Sequence, residues 1–297
     1  MPDAPKVKAR SAKKRVWLGL AGLVVAVGVV GSVIVFGWMI DETHFDRPDD
    51  EFDRLGTQVE KTPGVSVNWK ERWVEAPTFS NPQSWIGLSV DETHLSDVLQ
   101  AACGSEYADP VAWSIDVHTD GGNVVSLYSS AVPIGRADEA RCPDFGFDAP
   151  ALVGVVGRSM PGLNIQASIW DNGHLALVAL EEEPGALSAL LPLVDGAEGV
   201  RDAAGLDSHQ SVEIDAAGLS LVIAPGERER YLVLLSALAG DHGVTSFWAD
   251  REGDSSDGVE KLQIAAPETE HTAIADAILG SGLRIAQVPV RFIEPAR

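Results

Sequence analysis

The sequence predicts an α+β protein: an N-terminal single transmembrane helix, then an extracytoplasmic domain of tandem ferredoxin-like (βαββαβ) units with antiparallel sheets and helices on one face. Three observations predict it. Residues 16–40 form one uncharged apolar run. Charge changes sign abruptly across that run. Beyond it, stretches with helical spacing alternate with pairs of strand-like stretches divided by turn residues.

Residues 16–40 read VWLGLAGLVVAVGVVGSVIVFGWMI, and as a helix they reach ~37 Å against a hydrocarbon core of ~30 Å. Trp17 and Trp38 are placed for the two interfacial aromatic belts. Upstream stand Lys6, Lys8, Arg10, Lys13, Lys14 and Arg15, a basic tail (1–15) that points to a cytoplasmic N-terminus and a domain outside the plasma membrane. A cleaved leader fits less well, because the run is long and ends in Phe36-Gly37-Trp38-Met39-Ile40 without a small-x-small site. Gly22/Ala26 and Gly28/Ser32 are small pairs at helix-packing spacing.

Of 22 Lys/Arg and 44 Asp/Glu, residues 1–40 hold six and one, which leaves a net charge of −27 beyond Ile40. Such a domain repels nucleic acid and anionic headgroups. Partners left open are the membrane through its one span, another envelope or secreted protein, and weakly held divalent cations. Cys103 and Cys142 are the only two cysteines, and in an oxidising compartment an even count favours a disulfide.

Residues 41–83 open acidic and carry Pro48, Pro63, Pro77 and Pro82, and are expected to be a stalk and lead-in. The first α+β unit is expected over 84–181. Leu95, Val98, Leu99 and Ala102 have helical spacing. Val111, Trp113, Ile115 and Val117 alternate with Ala112, Ser114, Asp116 and His118, as in a half-buried strand. Asp120-Gly121-Gly122-Asn123 turns the chain into Val124–Ser129, and a helix is expected near Ala149–Ser159. Leu163, Ile165, Ala167 and Ile169 alternate again, and Asn172-Gly173 signals a tight hairpin into His174–Leu180.

A second unit is expected over 182–297. Leu187, Leu190, Leu191 and Val194 form a stripe that Pro192 should cut or kink. Strands around Val212–Ile214 and Leu219–Ile223 lead to a helix carrying Tyr231, Leu234, Leu235 and Leu238. Val244–Ala249 and Val259–Ala265 are strands, Thr269–Leu279 is a helix, and Leu283–Ile293 closes the chain as strands.

No nucleotide, zinc-protease or nucleophile-elbow signature occurs, and no cofactor is implied. Asp-Glu-Thr-His at 41–44 and 91–94, and Glu-Thr-Glu-His at 268–271, contain metal-type ligands, but the last two open helices, where acids and Thr serve as caps. Asp250, Glu252, Asp254, Asp257 and Glu260 resemble a calcium loop, yet Ser255 and Lys261 stand where Gly and Glu are required. His118, His174 and His242 sit at turns or strand ends. The expected function is a non-enzymatic, membrane-anchored binding module. Two alternatives are an envelope hydrolase built on carboxylates such as Asp116 with Asp171, and an ion or small-ligand sensor.

Overall fold

A computed structural model describes residues 44–75, 82–130, 142–181, 186–249 and 260–294. Among the described residues, twelve strands follow one another across the sheet in chain order. In a small unit, β1 (His44–Asp46) pairs antiparallel with Trp73–Glu75, the end of β2 (Val65–Glu75). The larger unit comprises Pro48–Arg72 and Gln83–Arg297.

The larger unit opens with α1 (Asp50–Glu60), in a segment whose acidity suggests a stalk. Asp49 caps it by accepting from the Glu51 and Phe52 amides at 2.9 and 3.0 Å. Asp50, Glu51 and Asp53 complement the dipole of its first turn. Phe52, Leu55 and Val59 recur at helical spacing and are buried, so the acids occupy only the outer face.

After β3 (Gln83–Asp91) one motif repeats. Helix α2 (Leu95–Cys103) carries the chain to β4 (Val111–His118), parallel to β3 from Ser84↔Val111 to Asp91↔His118. A hairpin gives β5 (Val124–Ser129), antiparallel to β4. Helix α3 (Ala149–Ser159) then leads to β6 (Ile165–Ile169), parallel to β5, and β7 (Leu175–Ala179) returns antiparallel. Next, α4 (Leu187–Ala203) joins β7 to parallel β8 (Val212–Ala216), and β9 (Leu219–Ile223) completes a hairpin. Helix α5 (Arg228–Asp241) reaches β10 (Ser246–Ala249), which is parallel to β9 and antiparallel to β11 (Leu262–Ala265). Finally α6 (His271–Gly280) joins β11 to parallel β12 (Val290–Ile293).

This corrects the expected ferredoxin-like antiparallel sheets. Each helix returns the chain to the strand directly beside the one it left, so no gap remains for a later strand to enter. Crossovers and hairpins therefore extend one mixed sheet in a single direction. The β7–β8 pairing carries that sheet through the boundary expected between tandem units. The membrane-spanning part of the expected fold is corrected as well: no helix among the described residues is long and apolar enough to cross a membrane. The longest, α4, has 17 residues and carries Asp195, Glu198, Arg201 and Asp202. The run 16–40, with Trp17 and Trp38, lies outside the described residues.

Alternation along the strands gives the sheet two faces. Ile86, Leu88, Trp113, Ile115, Leu127, Ile165, Leu177, Ile214, Leu221, Phe247 and Ile264 are buried in one hydrophobic cluster with the helices. On the opposite face a register row of half-buried or exposed residues crosses ten strands: Ser89, Asp116, Ser126, Gln166, Val178, Asp215, Ser220, Trp248, Gln263 and Arg291.

Local chemistry explains the joints. Asn172-Gly173 forms the β6–β7 turn with Gly173 at φ 80°, which a Cβ would resist. Buried Asn123 in the β4–β5 turn donates through Nδ2 to the Met160 and Leu163 carbonyls, fastening that turn to the end of α3. Pro192 lies inside α4 without ending it, because Leu187, Leu190, Leu193, Val194, Ala197 and Val200 are all buried along one stripe. Cys103 and Cys142 form a disulfide with Cα atoms 4.6 Å apart, linking the end of α2 to the approach to α3.

Candidate functional site

The helix layer is not uniformly closed. Helix α4 packs along both α3 and α5, whereas α5 and α6 meet over a much shorter stretch. Between them lies a groove of about 490 Å³. Val233, Leu234, Ala237, Ala277 and Gly280 line it, with Glu229, Arg230 and Ser281 around it. Leu234 is buried, but Val233 is 66% exposed and Leu279 on α6 is 70% exposed. Small residues on the facing helices keep the groove shallow and wide enough for another backbone to come close.

Electrostatics around the groove are one-sided. Arg230 donates to the Gly282 carbonyl and to Glu227 Oε1, while Arg228 is paired with Asp195 and Glu198. Glu229 and Asp276 are exposed, and neither has an ion pair among the described residues. The cations are thus engaged within the fold while acids face solvent.

Residues singled out in the sequence fall mostly into structural roles. Asp116 accepts from Ser126 Oγ at 2.7 Å. Through Ser126 it is level with Gln166, five residues before Asp171 and so ~16 Å from it along the strand direction at ~3.3 Å per residue. Register therefore separates the carboxylates of the expected hydrolase pair. The segments at 92–94 and 268–270 are 3₁₀ turns ahead of α2 and α6, and neither supplies a side-chain cap. Instead Glu92 accepts from the Asp120 amide at 3.3 Å, and Glu270 lies 2.9 Å from His242 Nδ1. His94 Nδ1 is 3.4 Å from Asp97. His118 is exposed at the end of β4. Residues 41–43 and the acidic loop 250–259 lie outside the described residues. Among the described residues no group of three or more His, Cys, Asp or Glu side chains is arranged to hold a metal ion.

Spacing gave no hint of two clusters. Glu213 on β8 is fully buried, accepting from Asn172 Nδ2 at 3.1 Å with His174 Nδ1 3.6 Å away. Gln210 Nε2 also donates to the Gly173 carbonyl, so the β6–β7 turn is clamped onto the start of β8. Ser168 shares the row Ser168, Ala176, Glu213, yet its buried hydroxyl makes no hydrogen bond. A nucleophile joined to its base is therefore not assembled there.

The second cluster centres on Arg72, which donates to Tyr107 Oη at 3.0 Å and Asp109 at 2.9 Å, with Asp49 at 3.8 Å. Burial works against the Arg72 charge, but the hydrogen bonds to Tyr107 and Asp109 outweigh it and hold the guanidinium above its ordinary pKa. Burial raises the Tyr107 phenol, offset in part by its bonds to Ser84 and Arg72. The Phe52 amide lowers the Asp49 carboxyl; burial opposes this, and the Glu51 amide and Arg72 charge add to the lowering. This network ties α1, β2, β3 and the α2–β4 connection together.

The fold and groove define a class: a ββα-repeat sheet protein with an apolar groove between α5 and α6. Comparison of the chain with protein-family models, with curated proteins and with solved structures finds no match.

Proposed function

We propose that the protein is a non-enzymatic interaction module, working in an oxidising compartment outside the cytoplasm, whose α5–α6 groove receives an amphipathic helix from a partner protein. The observation that carries this reading is the exposed aliphatic side chain of Val233 in an apolar groove where α5 and α6 meet over only a short stretch. Exposed apolar surface of this kind marks contact sites, and a helix laid in a groove is a recurrent mode of recognition. Exposed Glu229 and Asp276, together with the strongly negative chain, favour a partner helix with Lys or Arg on its flanks. The Cys103–Cys142 disulfide supports the compartment.

A photocrosslinking residue at Val233, tested in native cells with Val178 on the opposite sheet face as control, examines this reading. The expected product joins position 233 to a partner peptide with apolar residues at i, i+3, i+4, i+7 and basic flanks. Ala237→Arg, which fills the groove, should abolish it. Crosslinks only to this chain's own peptides, or products indifferent to Ala237→Arg, would overturn the reading.

A further inference from the structure

On the sheet face away from the helices, β2 to β5 carry an aromatic trough. Trp69 leans across β3 into the space above Gly87, where a Cβ would overlap its indole. Gly87 is in register with Ser114, and Ser114 with Tyr128. The row thus reads indole, small hydroxyl, phenol. Trp69 is 40% exposed and Tyr128 44% exposed. Trp85, next along β3, braces the Tyr128 ring with centroids 6.1 Å apart.

The spacing selects an occupant. Gly87, beneath the indole, and Tyr128 are separated by one intervening strand, so their backbone positions stand two strand spacings apart, ~9.6 Å. A polyproline II helix repeats every three residues at ~3.1 Å rise, ~9.3 Å per turn. Prolines three residues apart therefore fall on both walls in phase, with the Ser114 hydroxyl beneath the intervening backbone. Charge complementarity adds to this. Glu71, two residues from Trp69, is exposed, and Asp116, two residues from Ser114, is half-buried. The nearby cations point elsewhere, Lys70 to Asp53 and Arg72 to Asp109. We propose that this trough binds a proline-rich, basic-flanked segment of a partner protein in the polyproline II conformation, at a surface independent of the α5–α6 groove.

The test titrates the full chain with a synthetic peptide carrying two prolines three residues apart between arginines, read by tryptophan fluorescence. A peptide with its prolines moved to adjacent positions and a neutral oligosaccharide are run beside it. Saturable binding of the first peptide is expected, at least tenfold weaker for the second and for Tyr128→Ala, with an unchanged melting temperature. Gly87→Ala, which displaces the Trp69 indole while retaining every aromatic residue, should weaken binding similarly. The proposal is overturned by no saturation up to about 1 mM peptide, by equal affinity for both peptides, by affinity indifferent to Tyr128→Ala, or by binding of the oligosaccharide alone. Crosslinking at Val233 is untouched by any of these results, so the two surfaces stand or fall separately.

Discussion

The two faces of the sheet are made by the same strands, one residue apart, yet they follow different rules. Toward the helices, Ile86, Trp113, Ile115, Leu177 and Ile214 are wholly buried and the side chains are almost all apolar. Toward the other side, the same strands present Ser89, Asp116, Ser126, Gln166 and Asp215, interrupted by Trp69, Tyr128 and Trp248. The helix layer repeats this contrast in miniature, closed where α3, α4 and α5 pack and open between α5 and α6. Stability should reside in the covered regions and recognition in the uncovered ones.

The largest effect is expected at Trp113. It is fully buried on the helix-facing side, and Trp113→Ala should cost ~3–5 kcal/mol in urea unfolding through lost transfer energy and a residual cavity. A cost under ~1 kcal/mol would remove the distinction between the faces. Next comes the crosslink. Replacing Cys103 and Cys142 by Ser frees a loop of 39 residues and should cost ~3–4 kcal/mol in the chain-entropy account. Calorimetry of the double variant against wild type under oxidising conditions checks this. Wild type treated with reductant should approach the variant.

How far these regions were legible in the sequence follows from the range of the interactions that make them. Asn172-Gly173 and the alternation from Val111 to His118 are local signals, and the hairpin and strand stand where they indicate. The order of strands is not local. Whether α2 returns the chain beside β3 or one strand further away leaves the same period in the sequence, and that choice separates this mixed sheet from a ferredoxin-like one. Helix α1 was obscured because its acids dominate the composition while Phe52, Leu55 and Val59 alone face inward. The candidate surfaces were less legible still. Trp69, Trp85 and Tyr128 come from three strands, and Val233 and Ala277 from separate helices.

A smaller effect, with a pH signature, belongs to Asp49. Its carboxyl is held below the usual carboxylate range chiefly by the Phe52 amide. A group with a depressed folded pKa stabilises the protein above its unfolded value near 3.9, and that contribution is lost as pH falls through the folded value. Asp49→Ala should cost ~1 kcal/mol near neutrality as a lost helix cap. It should also flatten the decline in stability on acidification below about pH 5, relative to wild type. Parallel acid profiles for the two proteins would show that Asp49 contributes nothing to the folding of α1.

The smallest effects on stability sharpen the comparison most. Leu279→Ser and Tyr128→Ser remove large side chains that are 70% and 44% exposed. Surface substitutions away from caps and buried networks usually fall within ~0.5 kcal/mol, so both variants should unfold near the wild-type midpoint. Crosslinking from Val233 should survive Leu279→Ser, because Leu279 lies off the groove lining, whereas Tyr128→Ser should weaken the proline-rich peptide. An exposed aromatic side chain that the fold does not need is free to serve a contact outside it. If Tyr128→Ser instead lost several kcal/mol with peptide binding unchanged, its side chain would belong to the core, and the trough would have to be withdrawn as a docking site.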